Sequence, residues 1–363
     1  MRKIFHKILA GINSVNILLT IIAYLSIFIS PAISGIPALI GLAYPVLLII
    51  NILFVIYWLF RFNKKWLIIN LVIFFLGFSY LNDFIQIKFN ANKGDKSKAV
   101  KVMTYNARLF NYVLEHDKIT AKNLFMNLFK QEAPDILCIQ EFYTRKKGDL
   151  NNLSYLKKKI FPNYYFYFQP ITPDSWGEAG VCIISKYPII NKKAIMYQHT
   201  SNLSIYADIL IKDDTVRVFN NHLESIRFAP DDYKFVDEIN LNIDSTKINE
   251  AKNIVGRLLK AFEIRAIQAD TIASLISQTP YKTIVCGDFN DTPISYTYHT
   301  ISARLKDAFI EAGTGIGNTY NGVFPSYRID YILHSEEISC IDYQTLKVDY
   351  SDHFPVIAYL SID

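Results

Sequence analysis

Charged residues are absent from positions 8–60, a run of 53 filled largely with Ile, Leu, Val, Phe and Tyr. A helix needs about 20 apolar residues to cross a bilayer once, so the run can cross twice around a tight turn. Ser30, Pro31, Ser34, Gly35 and Pro37 cluster at its middle, where backbone punctuators place such a turn. After Arg61, Lys64 and Lys65, a further uncharged stretch of 17 residues covers 66–82, enough for a short third crossing. Tyr57, Trp58, Trp66 and Tyr80 lie near the ends of these stretches, where amphipathic rings favour the headgroup zone. A cleaved leader carries one short apolar stretch and a small-residue cleavage site, and this repeated pattern has neither feature. The pattern predicts a membrane anchor of three transmembrane helices over 1–84, then a polar linker over 85–99.

From position 99 the periodicity changes. Short β-rich runs are predicted near 101–105, 136–140, 164–169, 180–185, 204–211, 216–222, 283–287, 329–333 and 355–360. Helical spacing appears at 121–130 and 249–277; in the second, Ile254, Leu258, Phe262, Ala269, Ile272 and Ile276 recur at intervals of three, four and seven. Strands adjacent in sequence and mixed with helices predict an α/β (α+β) domain with mixed sheets over 100–363. Within it, 225–259 reads as an insertion bearing Phe228, Tyr233 and Phe235, suited to a lid over a substrate.

Composition narrows the class. With 51% hydrophobic and 20% charged residues, disorder and collagen-like repeats are excluded. Cys138, Cys182 and Cys286 sit inside apolar strands and Cys340 borders one, so buried free thiols are expected, not disulfides or zinc ligands. Residues 1–90 hold seven Lys/Arg and one acid; the remaining 31 basic and 32 acidic residues leave the rest at −1. That balance lacks the footprint of a general nucleic-acid binder. Basic residues flank the first helix and fill the loop after the second, which puts both clusters in the cytoplasm. The chain then reads as an integral protein of a bacterial inner membrane, its larger domain facing the periplasm or exterior.

The polar residues that interrupt this domain fall at strand ends. VMTYN closes on Asn106, ILCIQE on Glu141 and VRVFNNH on His222. TIVCGDFND delivers Asp288 and Asn290, RIDYIL places Asp330 inside a strand, and VDYSDHFP presents Asp352 and His353. A lone carboxylate at Asp330 would be costly to bury, so a partner is expected there. Asp, Glu and Asn supply hard oxygen ligands that suit Mg²⁺ or Mn²⁺. Two histidines with acidic partners can move protons and stabilise developing negative charge. Together these groups describe hydrolysis of a phosphate ester by an activated water.

The order of the motifs TYN, QE, GEAGVCIIS, NNHLES, GDFND, RIDYI and SDHFP resembles that of the endonuclease/exonuclease/phosphatase superfamily. That superfamily includes pancreatic deoxyribonuclease, the apurinic endonucleases, neutral sphingomyelinases and inositol polyphosphate 5-phosphatases. The resemblance covers 100–362 and implies a four-layer sandwich of two mixed β-sheets flanked by helices. It further implies that Asn106 and Glu141 hold a divalent metal, with Asp352 as a further contact. By the same resemblance His222 donates to a phosphate oxygen and is oriented by Glu178. Asp288 positions or activates the water, Asn290 orients the phosphate, and His353 is paired with Asp330. Either His353 or Asp288 takes the water's proton. The implied function is a membrane-anchored, Mg²⁺-dependent phosphoesterase acting on a lipid headgroup, nucleic acid or small phosphate ester, with the bilayer as its partner. A catalytically silent binding module displayed by the anchor is the alternative; it predicts damaged motifs, and all of these are intact.

Overall fold

The computed structural model describes residues 2–87, 95–111, 117–173, 177–198, 200–226, 245–322 and 327–362. They divide into two compact units: Met1–Phe84 with Ile226–Asp270 and Asp291–Thr300, and Ile85–Ser225 with Thr271–Asn290 and Ile301–Asp363.

The first unit opens with helices α1 (Arg2–Leu25), α2 (Ile36–Leu42), α3 (Tyr44–Phe60), α4 (Lys64–Leu76) and α5 (Phe78–Phe84). Within α1, Ile4–Leu25 is long and apolar enough to cross a membrane. The pair α2 and α3 is bent by 65°, and α4 and α5 by 50°; counting each bent pair as one crossing gives three. The first bend has a direct cause in Pro45, which lacks an N–H and starts a helix more readily than it continues one. The second falls at Gly77, whose carbonyl accepts a bond from the Tyr44 hydroxyl at 3.1 Å. Ile4, Phe5, Ile8, Ile12, Val15 and Leu18 of α1 are each more than half exposed. Inside the bundle, Asn51 Nδ2 donates to Asn70 Oδ1 at 3.1 Å. The apolar stripe of the long helix Ser245–Ser277 finds its partner here: Leu258 and Phe262 pack with Ala38, Leu39 and Leu42.

The second unit is built on two six-stranded sheets. One comprises β2 (Val100–Asn106), β3 (Ile136–Thr144), β4 (Tyr165–Pro173), β5 (Glu178–Ser185), β13 (Ile338–Thr345) and β14 (Val356–Ile362), in the order β13-β14-β2-β3-β5-β4. The other comprises β6 (Ile189–Met196), β7 (Leu203–Ile211), β8 (Asp214–His222), β9 (Lys282–Asp288), β10 (Lys306–Asp307) and β12 (Asp330–His334), in the order β10-β12-β9-β8-β7-β6. A small pair joins β1 (Ile85–Gln86) to β11 (Gly315–Ile316). Both sheets are mixed, with β2–β3 and β8–β9 parallel. The expected sandwich with flanking helices is therefore the fold observed, and each predicted strand is present. β6 and β13, which the pattern did not predict, are edge strands. Edges tolerate polar and charged residues that discourage further pairing, so the exposed Asn191, Lys192 and Lys193 blur the alternation of β6. In β13 the buried Asp342, paired with Lys96, does so.

Strand alternation builds the core and aims the site. On β2, Val100 and Val102 enter one apolar cluster with Val216, Val218, Ile284, Cys286 and Ile332 of the other sheet. Met103 and Tyr105 face the opposite way, toward Phe125 and Phe129 of the helix Lys118–Glu132. With both faces covered, β2 carries apolar side chains on both sides, interrupted by Lys101 and Thr104. The next inward layer is polar: Gln140 Nε2 donates to Thr104 Oγ1 at 3.0 Å and to Asn220 Oδ1 at 2.6 Å. Asn220 Nδ2 in turn donates to the carbonyls of Cys182 at 2.9 Å and Ile139 at 3.1 Å. This buried amide network closes the core at one end and forms the floor on which the site stands. The four cysteines are free and buried, as expected.

Candidate active site

Two residues beyond that floor, the same alternation delivers Asn106 on β2, His222 on β8 and Asp288 on β9. His222 and Asp288 are register partners across the parallel β8–β9 pair, and Asp288 and Asp330 across the antiparallel β9–β12 pair. Three adjacent strands thus present His222, Asp288 and Asp330 in one row. Gly287 makes this row possible. Its φ is +138°, and a Cβ there would lie 2.1 Å from the Asn221 carbonyl oxygen.

Glu141 reaches the site by a different route. The β3–β5 register shifts between Ile139 and Phe142, and Glu141 has φ +49°. This β-bulge turns Glu141 toward Asn106 directly after the inward-facing Gln140, while Phe142 returns to the outer apolar cluster. Asp352 and His353 come from the loop before β14.

The side chains meet at hydrogen-bonding distance. Asn106 Nδ2 donates to Asp288 Oδ2 at 2.9 Å and to Glu141 Oε1 at 3.4 Å. Asp288 Oδ1 accepts from the Asn290 backbone N–H at 2.8 Å, and its Oδ2 from Asn290 Nδ2 at 3.2 Å. Asn290 adopts φ +53° and also donates from Nδ2 to the Leu223 carbonyl at 3.0 Å. His353 sets Nδ1 at 2.9 Å from Asp330 Oδ2 and Nε2 at 3.7 Å from Asp288 Oδ2. His222 Nε2 is buried without a hydrogen-bond partner among the described residues and lies 3.7 Å from Glu141 Oε1.

Charge follows geometry. Burial works against a charged His353, but the neighbouring carboxylates of Asp330 and Asp288 outweigh it and lift the imidazole to about 10. Burial pushes the Asp288 and Glu141 carboxyls up, against the pull of His353. Burial also holds His222 below its ordinary value. A buried group of carboxylates served by so little positive charge suits a divalent cation. Donor atoms of Asp288, Asp330 and His353 lie within 4.8 Å of one another.

Of the residues singled out in the sequence, Asn106, Glu141, His222, Asp288, Asn290, Asp330 and His353 are brought together. Asp352 stands beside His353 and meets Arg108, Nε to Oδ2 at 3.3 Å. Glu178 starts β5 opposite Thr144, and no hydrogen bond or ion pair joins it to His222. The lid expected over 225–259 lies outside the described residues for 227–244.

Two contributors escaped the sequence reading. Ser351 Oγ donates to the Asn106 carbonyl at 2.9 Å and ties the SDHFP loop to β2. Arg108 opens a turn in which Arg108, Leu109, Phe110 and Asn111 all have positive φ. Its place two residues after Asn106 was the available signal.

Comparison with known proteins agrees with this geometry. The model of the Endonuclease/Exonuclease/phosphatase family matches residues 103–353. A domain of unknown function, DUF8431, matches residues 6–84. No curated protein matches the chain. Among solved structures, humanized D. rerio TDP2 is 14% identical with a TM-score of 0.51, covering 73% of this chain and 99% of that one. An endonuclease/exonuclease/phosphatase family protein from Bacteroides thetaiotaomicron is 17% identical with a TM-score of 0.50, covering 72% and 94%. At such identities these structures speak to the fold. The family match spans every motif from the end of β2 to His353, and the chain belongs to the endonuclease/exonuclease/phosphatase family, whose members are metal-dependent phosphoesterases.

Proposed function

We propose that this protein is a membrane-anchored phosphoesterase that hydrolyses a phosphate ester with water as nucleophile. The observation carrying this reading is the buried chain Asp330–His353–Asp288, 2.9 Å and then 3.7 Å, set against Asn106 and Glu141 from the other sheet. Asn106, Glu141 and Asp352 would hold Mg²⁺ or Mn²⁺, since both nitrogens of His353 already face carboxylates. When bound, the cation supplies Lewis-acid polarisation of a phosphoryl oxygen.

The protein's own groups do the rest. Asp330 fixes the orientation of His353 and keeps it protonated, so Nε2–H serves charge developing on a phosphate oxygen. Asp288, held by three donor bonds from Asn106 and Asn290, is oriented to receive the proton of the attacking water. The unpartnered Nε2 of His222 offers a second contact to phosphate. Asn290 orients the phosphate, and Glu178 would orient His222.

The anchor reading rests on α1 and the two bent helix pairs. His6 Nε2 meets Arg61 Nη2 at 2.7 Å, which gathers the basic clusters at one end of the bundle. By the positive-inside rule that end is cytoplasmic and the catalytic domain faces outward. The substrate is a lipid headgroup, a nucleic acid or a small phosphate ester. The deciding experiment presents each of these to the full chain in lipid nanodiscs with Mg²⁺. Turnover that disappears with Glu141→Ala and with His353→Ala supports the reading; turnover unchanged in both variants rejects it.

A further inference from the structure

The segment that follows the catalytic turn GDFN belongs to the same compact unit as the N-terminal helices. It is fixed there at three points. At its start, Asp291 Oδ2 accepts from Thr297 Oγ1 at 2.9 Å and from Nε of the fully buried Arg265 at 3.2 Å. In its middle, Ile294 is 2% exposed and packs in an apolar cluster with Ala23, Tyr24, Tyr44 and Leu47. The Ile294 carbonyl accepts from Ser26 Oγ, at the end of α1, at 2.9 Å. A Cβ on Gly41 of α2 would lie 3.3 Å from that carbonyl and 2.8 Å from Ser26 Oγ, so the closeness depends on glycine. Near its end, His299 Nε2 lies 3.8 Å from Asp83 of α5, with Tyr80 edge-on to the same ring.

A flexible tether would leave this segment to the catalytic fold. Here a residue four positions after Asn290 is built into the apolar interior of the N-terminal helices, and a buried arginine clamps the residue next to Asn290. We propose that the N-terminal helices position the catalytic turn, with Ile294 and Arg265 as positioning residues acting through the backbone of Asp291 on Asn290, and thereby on Asp288. The proposal rests on the phosphoesterase reading for its kinetic consequence and on packing alone for its mechanical one. Asn290 precedes Asp291 directly and donates from its backbone N–H to Asp288 Oδ1 at 2.8 Å, so the path the chain takes into Asp291 bears on both residues.

The test uses the full chain in nanodiscs with Mg²⁺ and a bis-nitrophenyl phosphate diester. Ile294→Ala is expected to lower kcat by about 10-fold to 100-fold with KM little changed, as a displaced catalytic group does. Ile294→Val is expected to restore most of kcat, and Arg265→Lys to recover more than Arg265→Met. In an Asn290→Ala background, Ile294→Ala should cost almost nothing further, because both changes act on one group. Additive losses, or unchanged kcat in Ile294→Ala, overturn the proposal. Hydrogen exchange over residues 286–300 of the same samples is a second readout. Faster exchange there in Ile294→Ala supports the coupling even if the wild type hydrolyses no diester, an outcome that would count against a diester substrate alone. Unchanged exchange overturns the coupling whatever the activity.

Discussion

His353 and Asp330 form a buried pair, Nδ1 to Oδ2 at 2.9 Å, between the SDHFP loop and the first residue of β12. The carboxylate does two jobs, setting the direction of the ring and supplying charge that keeps it protonated. Asp330→Asn retains the shape and removes the charge. The expected result is a fall in kcat of about 100-fold, in the range of a lost acid–base partner, with KM little altered. Asp330→Ala also leaves His353 without its partner and should lower stability by about 3 kcal/mol, read as a shift in thermal unfolding.

Glu141 and Asn106 are expected to bind the cation. Titration calorimetry of Glu141→Gln with Mg²⁺ should show affinity reduced by about 10-fold or more, since a carboxylate oxygen is a far better ligand than an amide. A chelator in excess should abolish turnover by the wild type, and Mg²⁺ or Mn²⁺ should restore it. Activity that survives the chelator contradicts the assignment.

Gly287 tolerates no side chain. Any substitution must hold φ near +138° and displace the Asn221 carbonyl, which a Cβ would meet at 2.1 Å. Gly287→Ala should destabilise by about 3 kcal/mol or more from strain and overpacking combined, and should uncouple His222 from Asp288. Thermal unfolding together with kcat measures both effects.

Acid stability has a local contributor away from the site. Glu311 Oε2 lies 2.9 Å from His334 Nε2. Burial pushes the Glu311 carboxyl up, but the bond and charge of His334 win and hold it below its ordinary value. A carboxyl depressed by folding stabilises above its unfolded pKa and loses that contribution as pH falls through the folded one. Wild type should therefore lose more melting temperature between pH 6 and pH 3, roughly the span of carboxyl titration, than Glu311→Gln does. Parallel melting curves for the two proteins would refute this.

How much of this was legible in the sequence depends on the physics of each element. The apolar runs of the central strands and the long charge-free N-terminus were readable because burial on all sides imposes composition directly. Residues at strand ends were readable because alternation carries a face along a strand: Val102 and Thr104 lead to Asn106, as Ile284 and Cys286 lead to Asp288. The edge strands β6 and β13 were hidden by polar residues, exposed lysines on β6 and the buried, Lys96-paired Asp342 on β13. The backbone route of Glu141 was hidden as well, because a bulge leaves no mark in the alternation of ILCIQEFYT. The segment Asp291–Thr300 was unreadable for a different reason. Ile294 looks like an ordinary loop residue, and its partners lie more than two hundred positions earlier in the chain.

The bulge on β3 has a consequence for which changes of length the chain can absorb. Side chains along a strand have only two directions, so the number of residues between Ile136 and Glu141 sets a parity. Removing one residue in that stretch would leave the strand as apolar as before and still able to pair. It would, however, set the carboxylate in the place of Gln140 on the core floor and bring a phenyl ring into the place of Glu141. A deletion of the same size in the turn at 146–149 would change no such parity. Strand β3 is therefore a counted segment, in which arithmetic and not hydrophobicity decides whether the site exists.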